Sequence, residues 1–192
     1  QYNSRLLMIR TQVKSALLRG LNGELAVQRG GNGITVKSSR ELDLMQEAGR
    51  ITGEVLVVLR EAIAHGMTTL ELDQIAEREI VARGAIPAFK GYRGFPGTLC
   101  VSVNDEIVHG IPGSREITSG DVVGLDLGAI VDGLYGDSAV TVAVGEIGDH
   151  VQAQMETGRA ALLAGIAQVR AGNRIGDVSN AIEAEVLSRG QY

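Results

Sequence analysis

The chain has 192 residues, enough for one domain with a substantial core, and a net charge of −5 with no basic block, so nucleic acid is not an expected partner. A single cysteine leaves no disulfide framework within the chain, which suits a cytoplasmic protein. The longest aliphatic run, Val55 to Leu59, is far too short to cross a bilayer.

In chain order, residues 1–33 differ from the rest. Arg5 to Leu18 has the pattern of a short basic amphipathic helix, and Arg29-Gly-Gly-Asn-Gly33 reads as a flexible linker. We expect a non-catalytic extension over 1–33 and a folded domain over 34–192. Ile34 to Lys37 is a short strand candidate. Ser38 and Glu41 form a capping box that opens a first helix. Its buried stripe is Leu44, Ala48, Ile51, Val55, Leu59 and Ile63, and Gly66 ends it. Thr68 with Glu71 opens a second helix, which carries Leu72, Ile75, Ala76 and Ile80 and stops at Gly84.

Ile86 to Gly97 is a loop punctuated by Gly and Pro. It holds Phe89, Tyr92 and Phe95, half of the aromatic residues in the chain. Leu99 to Val103 reads as a strand, Asn104-Asp105 as a turn, and Glu106 to His109 as a return strand.

A hairpin follows. Val122 to Ile130 is apolar and β-rich, Asp132-Gly133 is a two-residue turn signal, and Leu134 to Val144 returns. That turn places Asp126 opposite Ala139 and Asp137 opposite Gly128. Both carboxylates then lie on one face as diagonal neighbours, about 7–8 Å apart at the backbone. Mid-strand carboxylates among apolar residues are costly to bury without a partner. A divalent cation is the simplest one, and the pair can share one cation or bridge two.

Val151, Met155, Leu162, Ile166 and Val169 mark a third helix, and Val178, Ile182 and Val186 a fourth, ended by Gly190. These helices repeat the first two. Setting Gly66 against Gly172 aligns Glu77 with Glu183, Glu79 with Glu185, Arg83 with Arg189 and Gly84 with Gly190. Two such copies suggest a pseudo-two-fold domain.

The ordered series from Gly91-Tyr-Arg-Gly-Phe-Pro-Gly-Thr-Leu-Cys-Val-Ser-Val-Asn-Asp-Glu-Ile-Val-His-Gly-Ile-Pro112, through Gly120-Asp-Val-Val-Gly-Leu-Asp126, to Asp132-Gly-Leu-Tyr-Gly-Asp137 closely resembles type I methionine aminopeptidase, of the pita-bread metallopeptidases. The resemblance covers about residues 34–192. It implies an α+β pita-bread fold, here its first half plus the helices of the second. It also implies removal of the initiator methionine from nascent polypeptides at the ribosome, by an enzyme that is a monomer when full length. The cofactor implied is a pair of divalent metal ions (Co, Mn, Fe, Zn or similar).

By the same resemblance, Asp126 is a ligand to one metal and Asp137 bridges both. His109 contacts the substrate and helps stabilise the reacting carbonyl. Tyr92, Phe95 and Cys100 line the methionine pocket, with Phe89 near its edge. The family's remaining ligands are a histidine in a His-Gly-Ile/Val-Gly segment, a glutamate in a Glu-Pro segment and a late glutamate. A second substrate-contacting histidine accompanies them. None is in this sequence, whose only histidines are His65, His109 and His150. The chain thus reads as a C-terminally truncated member, inactive alone. The alternatives are a proline-directed pita-bread peptidase and a non-catalytic pita-bread fragment.

Overall fold

The computed structural model describes residues 36–190. The expected helix at Arg5 to Leu18, the linker and the first half of the Ile34–Lys37 strand lie outside the described residues. Val36 and Lys37 belong to no strand.

Helix α1 spans Ser39–Ala62 and helix α2 spans Thr69–Ala82. Both start on the expected capping boxes. Ser38 N–H donates to Glu41 Oε2 at 2.7 Å while Glu41 N–H donates to Ser38 Oγ at 3.3 Å. Thr68 and Glu71 repeat the exchange at 2.7 and 3.2 Å. Each box satisfies N–H groups that a first turn leaves without partners. Helix α1 ends at Ala62, earlier than Gly66 suggests. Gly66 instead takes φ +88° in the link to α2, where its N–H donates to the Ile117 carbonyl at 2.8 Å.

One antiparallel sheet is built around β3 (Val122–Val131). Strands β1 (Ile86–Pro87) and β2 (Leu99–Val103) follow one another along one edge of it, and β4 (Leu134–Ala143) pairs with the other. The β3–β4 register is the one read from the turn, with Asp126 opposite Ala139 and Asp137 opposite Gly128. Asp132 and Gly133 have φ +47° and +80°, as a type I′ turn demands.

Alternation divides the sheet into two faces. Leu99, Val101, Val103, Val123, Leu125, Leu127 and Ala129 are buried together with Ile51, Val55, Leu59, Leu72, Ala76 and Ile80 of the helices. Each fully buried aliphatic side chain contributes about 1.5–3 kcal/mol relative to exposure. Helix α1 can come this close because position 136 is glycine. A Cβ there would meet the Ala48 carbonyl carbon and the Gly49 nitrogen at 2.5 Å. The opposite face carries Cys100, Ser102, Asp126 and Asp137.

The expected strand at Glu106–His109 does not form. Its β-branched residues instead stand in solvent, with Ile107 92% and Val108 63% exposed. Glu106 holds the turn by accepting from Val103 N–H at 2.9 Å and from Arg115 at 2.8 Å. Gly110 then passes so close to β2 that a Cβ would lie 2.0 Å from the Val101 carbonyl oxygen. Tertiary fit overrides local β preference here.

The described residues divide into two compact units, one reaching to Ile147 and one starting at Gly148. The second consists of α3 (Asp149–Ala167) and α4 (Ile175–Arg189), packed through Gly165 against Ile182. At the offset of the sequence repeat, Gly172 matches Gly66 with φ +96°, and Asp177 accepts from Arg174 N–H at 2.7 Å as Glu71 does from Thr68.

Candidate metal centre

Three neighbouring strands bring the chemistry together. Cys100 on β2 lies opposite Asp126 on β3, and Asp137 on β4 lies opposite Gly128, two residues along β3 from Asp126. All lie on the face opposite α1 and α2. The register makes the two carboxyls diagonal neighbours on one face. Burial raises the Asp126 pKa above the ordinary carboxylate value, and the neighbouring Asp137 raises it further, while His109 pulls the other way. Two carboxyls so close resist ionising together, and a cation between them removes that resistance. Their oxygens suit a hard or borderline divalent ion, so the pair fits one.

Cys100 is 5% exposed. Burial pushes its thiol up to about 11, with the charges of Asp126, Asp137 and Asp73 adding to the effect. It is therefore a neutral, apolar wall at neutral pH. His109 has φ +60°, uncommon for a residue other than glycine, at the end of the exposed loop. Gly110 fixes it there: its carbonyl accepts from Val101 N–H at 2.9 Å and its N–H donates to Ser102 Oγ at 3.2 Å.

The aromatic residues differ in placement. Phe89 packs over Gly128, where a Cβ would stand 3.0 Å from the ring edge and 2.9 Å from Ala88 Cβ. Gly128 thus lets the loop reach the carboxylate face. Phe95 is half-buried, and its carbonyl accepts from Gly91 N–H at 2.8 Å. Tyr92 sits in a single 3₁₀ turn (Tyr92–Gly94) and is 62% exposed, with the Arg93 guanidinium 5.4 Å from its ring centre. His65 and His150 are exposed. Among the described residues, no group of three or more His, Cys, Asp or Glu side chains is arranged to hold a metal.

The model of Metallopeptidase family M24 matches residues 43–192, most of the chain and all of the carboxylate hairpin. The chain belongs to metallopeptidase family M24. Its M24 relatives include methionine aminopeptidase 1 of Bacillus subtilis, 48% identical over 153 residues that make up 80% of this chain and 62% of the relative. Methionine aminopeptidase 1 of Mycobacterium tuberculosis is 45% identical, with 83% of this chain and 60% of the relative covered. The crystal structure of methionine aminopeptidase from Thermotoga maritima superposes with a TM-score of 0.80 at 37% identity, over 82% of this chain and 64% of that one. The fold is thus the α+β pita-bread fold of M24. The chain spans about three fifths of the length of the curated relatives it matches.

One residue of the M24 scaffold beside the site carries no signal in the sequence. Asp73 of α2 is buried, and its Oδ1 accepts from Thr98 N–H at 2.7 Å and Leu99 N–H at 2.8 Å. A lone aspartate in a helix repeat reads as a solvated position; only the tertiary pairing reveals it. Beside it, Thr98 Oγ1 is buried without a hydrogen-bond partner among the described residues.

Proposed function

We propose that this chain carries part of the catalytic centre of a metal-dependent aminopeptidase that removes the initiator methionine from new polypeptides. The observation that carries the reading is the Asp126–Asp137 pair, diagonal neighbours on adjacent strands, in a chain whose M24 relatives are named methionine aminopeptidases. Asp126 and Asp137 would hold the divalent ions, two in number by the resemblance to the family. Divalent ions held there supply Lewis acidity and lower the pKa of water.

The chain's own residues do the rest. Asp137 would hold its carboxylate beside that of Asp126 as a shared ligand. His109 presents its imidazole to the scissile carbonyl and donates to the oxygen as negative charge develops. Phe89, Tyr92, Phe95 and the neutral Cys100 form an apolar pocket for a thioether side chain. The substrate is the N-terminal methionine of a nascent chain, met in the cytoplasm at the ribosome by a monomeric enzyme. None of the described helices is long and apolar enough to cross a membrane.

The test is methionine release from a Met-Ala-Ser peptide in the presence of Mn²⁺ or Co²⁺. The product of the complete reading frame is expected to release methionine, and Asp137→Asn to abolish release. The 192-residue chain, with two carboxylates clustered among its described residues, is expected to be silent. Release only of residues preceding proline would assign a proline-directed peptidase instead. No release by the folded, metal-loaded product would overturn the reading.

A further inference from the structure

We propose that Asp73 is a positioning residue that holds the aromatic loop and the start of β2 in register with the carboxylate pair. The proposal rests on the assignment of that pair as the catalytic centre. Asp73 is 6% exposed. Its Oδ1 receives two successive backbone N–H groups, from Thr98 and Leu99, at 2.7 and 2.8 Å. Hydrogen bonds to an ionised acceptor are stronger than neutral ones, and truncating the acceptor strands buried donors.

These two donors sit where the loop becomes a strand. Cys100, facing Asp126, is the next residue. Gly97, the residue before, is wedged between the same carboxylate and Pro112: a Cβ there would be 2.9 Å from Asp73 Oδ1 and 2.6 Å from Pro112 Cγ. Asp73 therefore touches the segment that begins the cysteine strand, and Gly97 of that segment lies against Pro112, three residues after His109. One turn along α2, Glu77 accepts from Lys90 of the loop at 2.7 and 2.8 Å. The other end of the loop is tied to the sheet by Ala88 N–H donating to the Gly128 carbonyl at 3.0 Å. Phe89, Tyr92 and Phe95 thus lie between a sheet anchor and a helix anchor, and Asp73 is the buried member of the latter.

The experiment compares Asp73→Ala and Asp73→Asn. The asparagine keeps an oxygen in the Oδ1 position; the alanine removes it. In Asp73→Ala, amide exchange at Thr98 and Leu99 is expected to accelerate at least about tenfold relative to the β3–β4 hairpin. Labelling of Cys100 by a thiol reagent is expected to accelerate with it. In the product of the complete reading frame, KM for Met-Ala-Ser is expected to rise about tenfold with kcat within about twofold. Mn²⁺ affinity is expected to stay unchanged, because the carboxylate hairpin keeps its own register. Asp73→Asn is expected to restore most of each property.

Exchange that rises equally in the hairpin, an unchanged KM in an active enzyme, or an asparagine variant as impaired as alanine would each overturn the proposal. Should Asp73→Ala fail to fold, Asp73→Glu carries the same comparison by displacing the carboxylate. If the unmodified enzyme releases no methionine, the catalytic assignment fails by itself, and exchange and labelling still decide whether Asp73 positions the loop.

Discussion

Asp121 and Asp126 stand five residues apart, and their surroundings act on them in opposite directions. The Asp121 carboxylate accepts from Thr118 N–H and from Asn104 Nδ2, both at 2.8 Å, which holds its pKa below the ordinary 3.8. Burial and then Asp137 raise that of Asp126 above the same value. A lowered pKa contributes stability that is present above 3.8 and lost as pH falls through the folded value. A raised one makes ionisation costly to the fold, a cost absent below 3.8 and complete once pH exceeds the folded value. In metal-free protein at neutral pH, Asp121→Asn should lower Tm, with a loss of about 1–2 kcal/mol from its hydrogen bonds. Asp126→Asn should raise Tm. The gain for Asp126→Asn should vanish as pH is taken below 3.8, and the loss for Asp121→Asn should shrink as pH falls through that carboxyl's lower folded value, both followed by thermal melts in a chelator. A Tm for Asp126→Asn below that of the unmodified chain at neutral pH would contradict the raised pKa. At this scale the sequence was informative where one residue type is out of place, as with two aspartates in mid-strand. It was silent on Asp73, because an aspartate on a helix looks the same in water and against two buried amides.

Elements were legible where local chemistry and tertiary fit agree. Both capping boxes start their helices where the Ser-Glu and Thr-Glu spacings put them. Asp132-Gly133 sets the register of the carboxylate hairpin without help from the rest of the chain. The segment Glu106–His109 shows the opposite case. Ile107 and Val108 favour a strand, but Gly110 must cross over Val101, and no neighbouring strand receives them. Gly136 shows how an element's position depends on one missing atom. It lies in β4 against the α1 backbone, and its carbonyl accepts from Thr52 Oγ1 at 3.2 Å. The neighbours that crowd position 136 are backbone atoms, which cannot rotate away. Gly136→Ala should therefore separate α1 from the sheet and cost about 1–3 kcal/mol. Urea unfolding should show a lower midpoint with little change in slope. An alanine variant as stable as the parent would mean that helix and sheet are not in contact at this point.

The two compact units differ in what holds them. In the unit ending at Ile147, residues from two helices and two strands share one buried cluster, with Leu59, Leu72, Ile80, Leu99, Leu125 and Leu127 fully excluded from solvent. The hydrogen bonds between β2 and β3 break only when that cluster opens. In the unit from Gly148, α4 has no buried residue, and Ile175 and Leu187 are mostly exposed. Its polar ties are local: Asp177 at its first turn and Arg189 with Glu185 at its last. An exposed ion pair of this kind adds at most about 1 kcal/mol, and a helix of this length without a buried face is marginal in water. Local opening should thus cost far less in α4 than in the sheet. Hydrogen exchange followed by mass spectrometry should find the amides of α4 exchanging at least about a hundredfold faster than those of β3 and the middle of α1. Limited proteolysis should cut first within Ile175–Arg189. Equal protection across both units would mean that α4 is covered by surfaces other than its packing against α3.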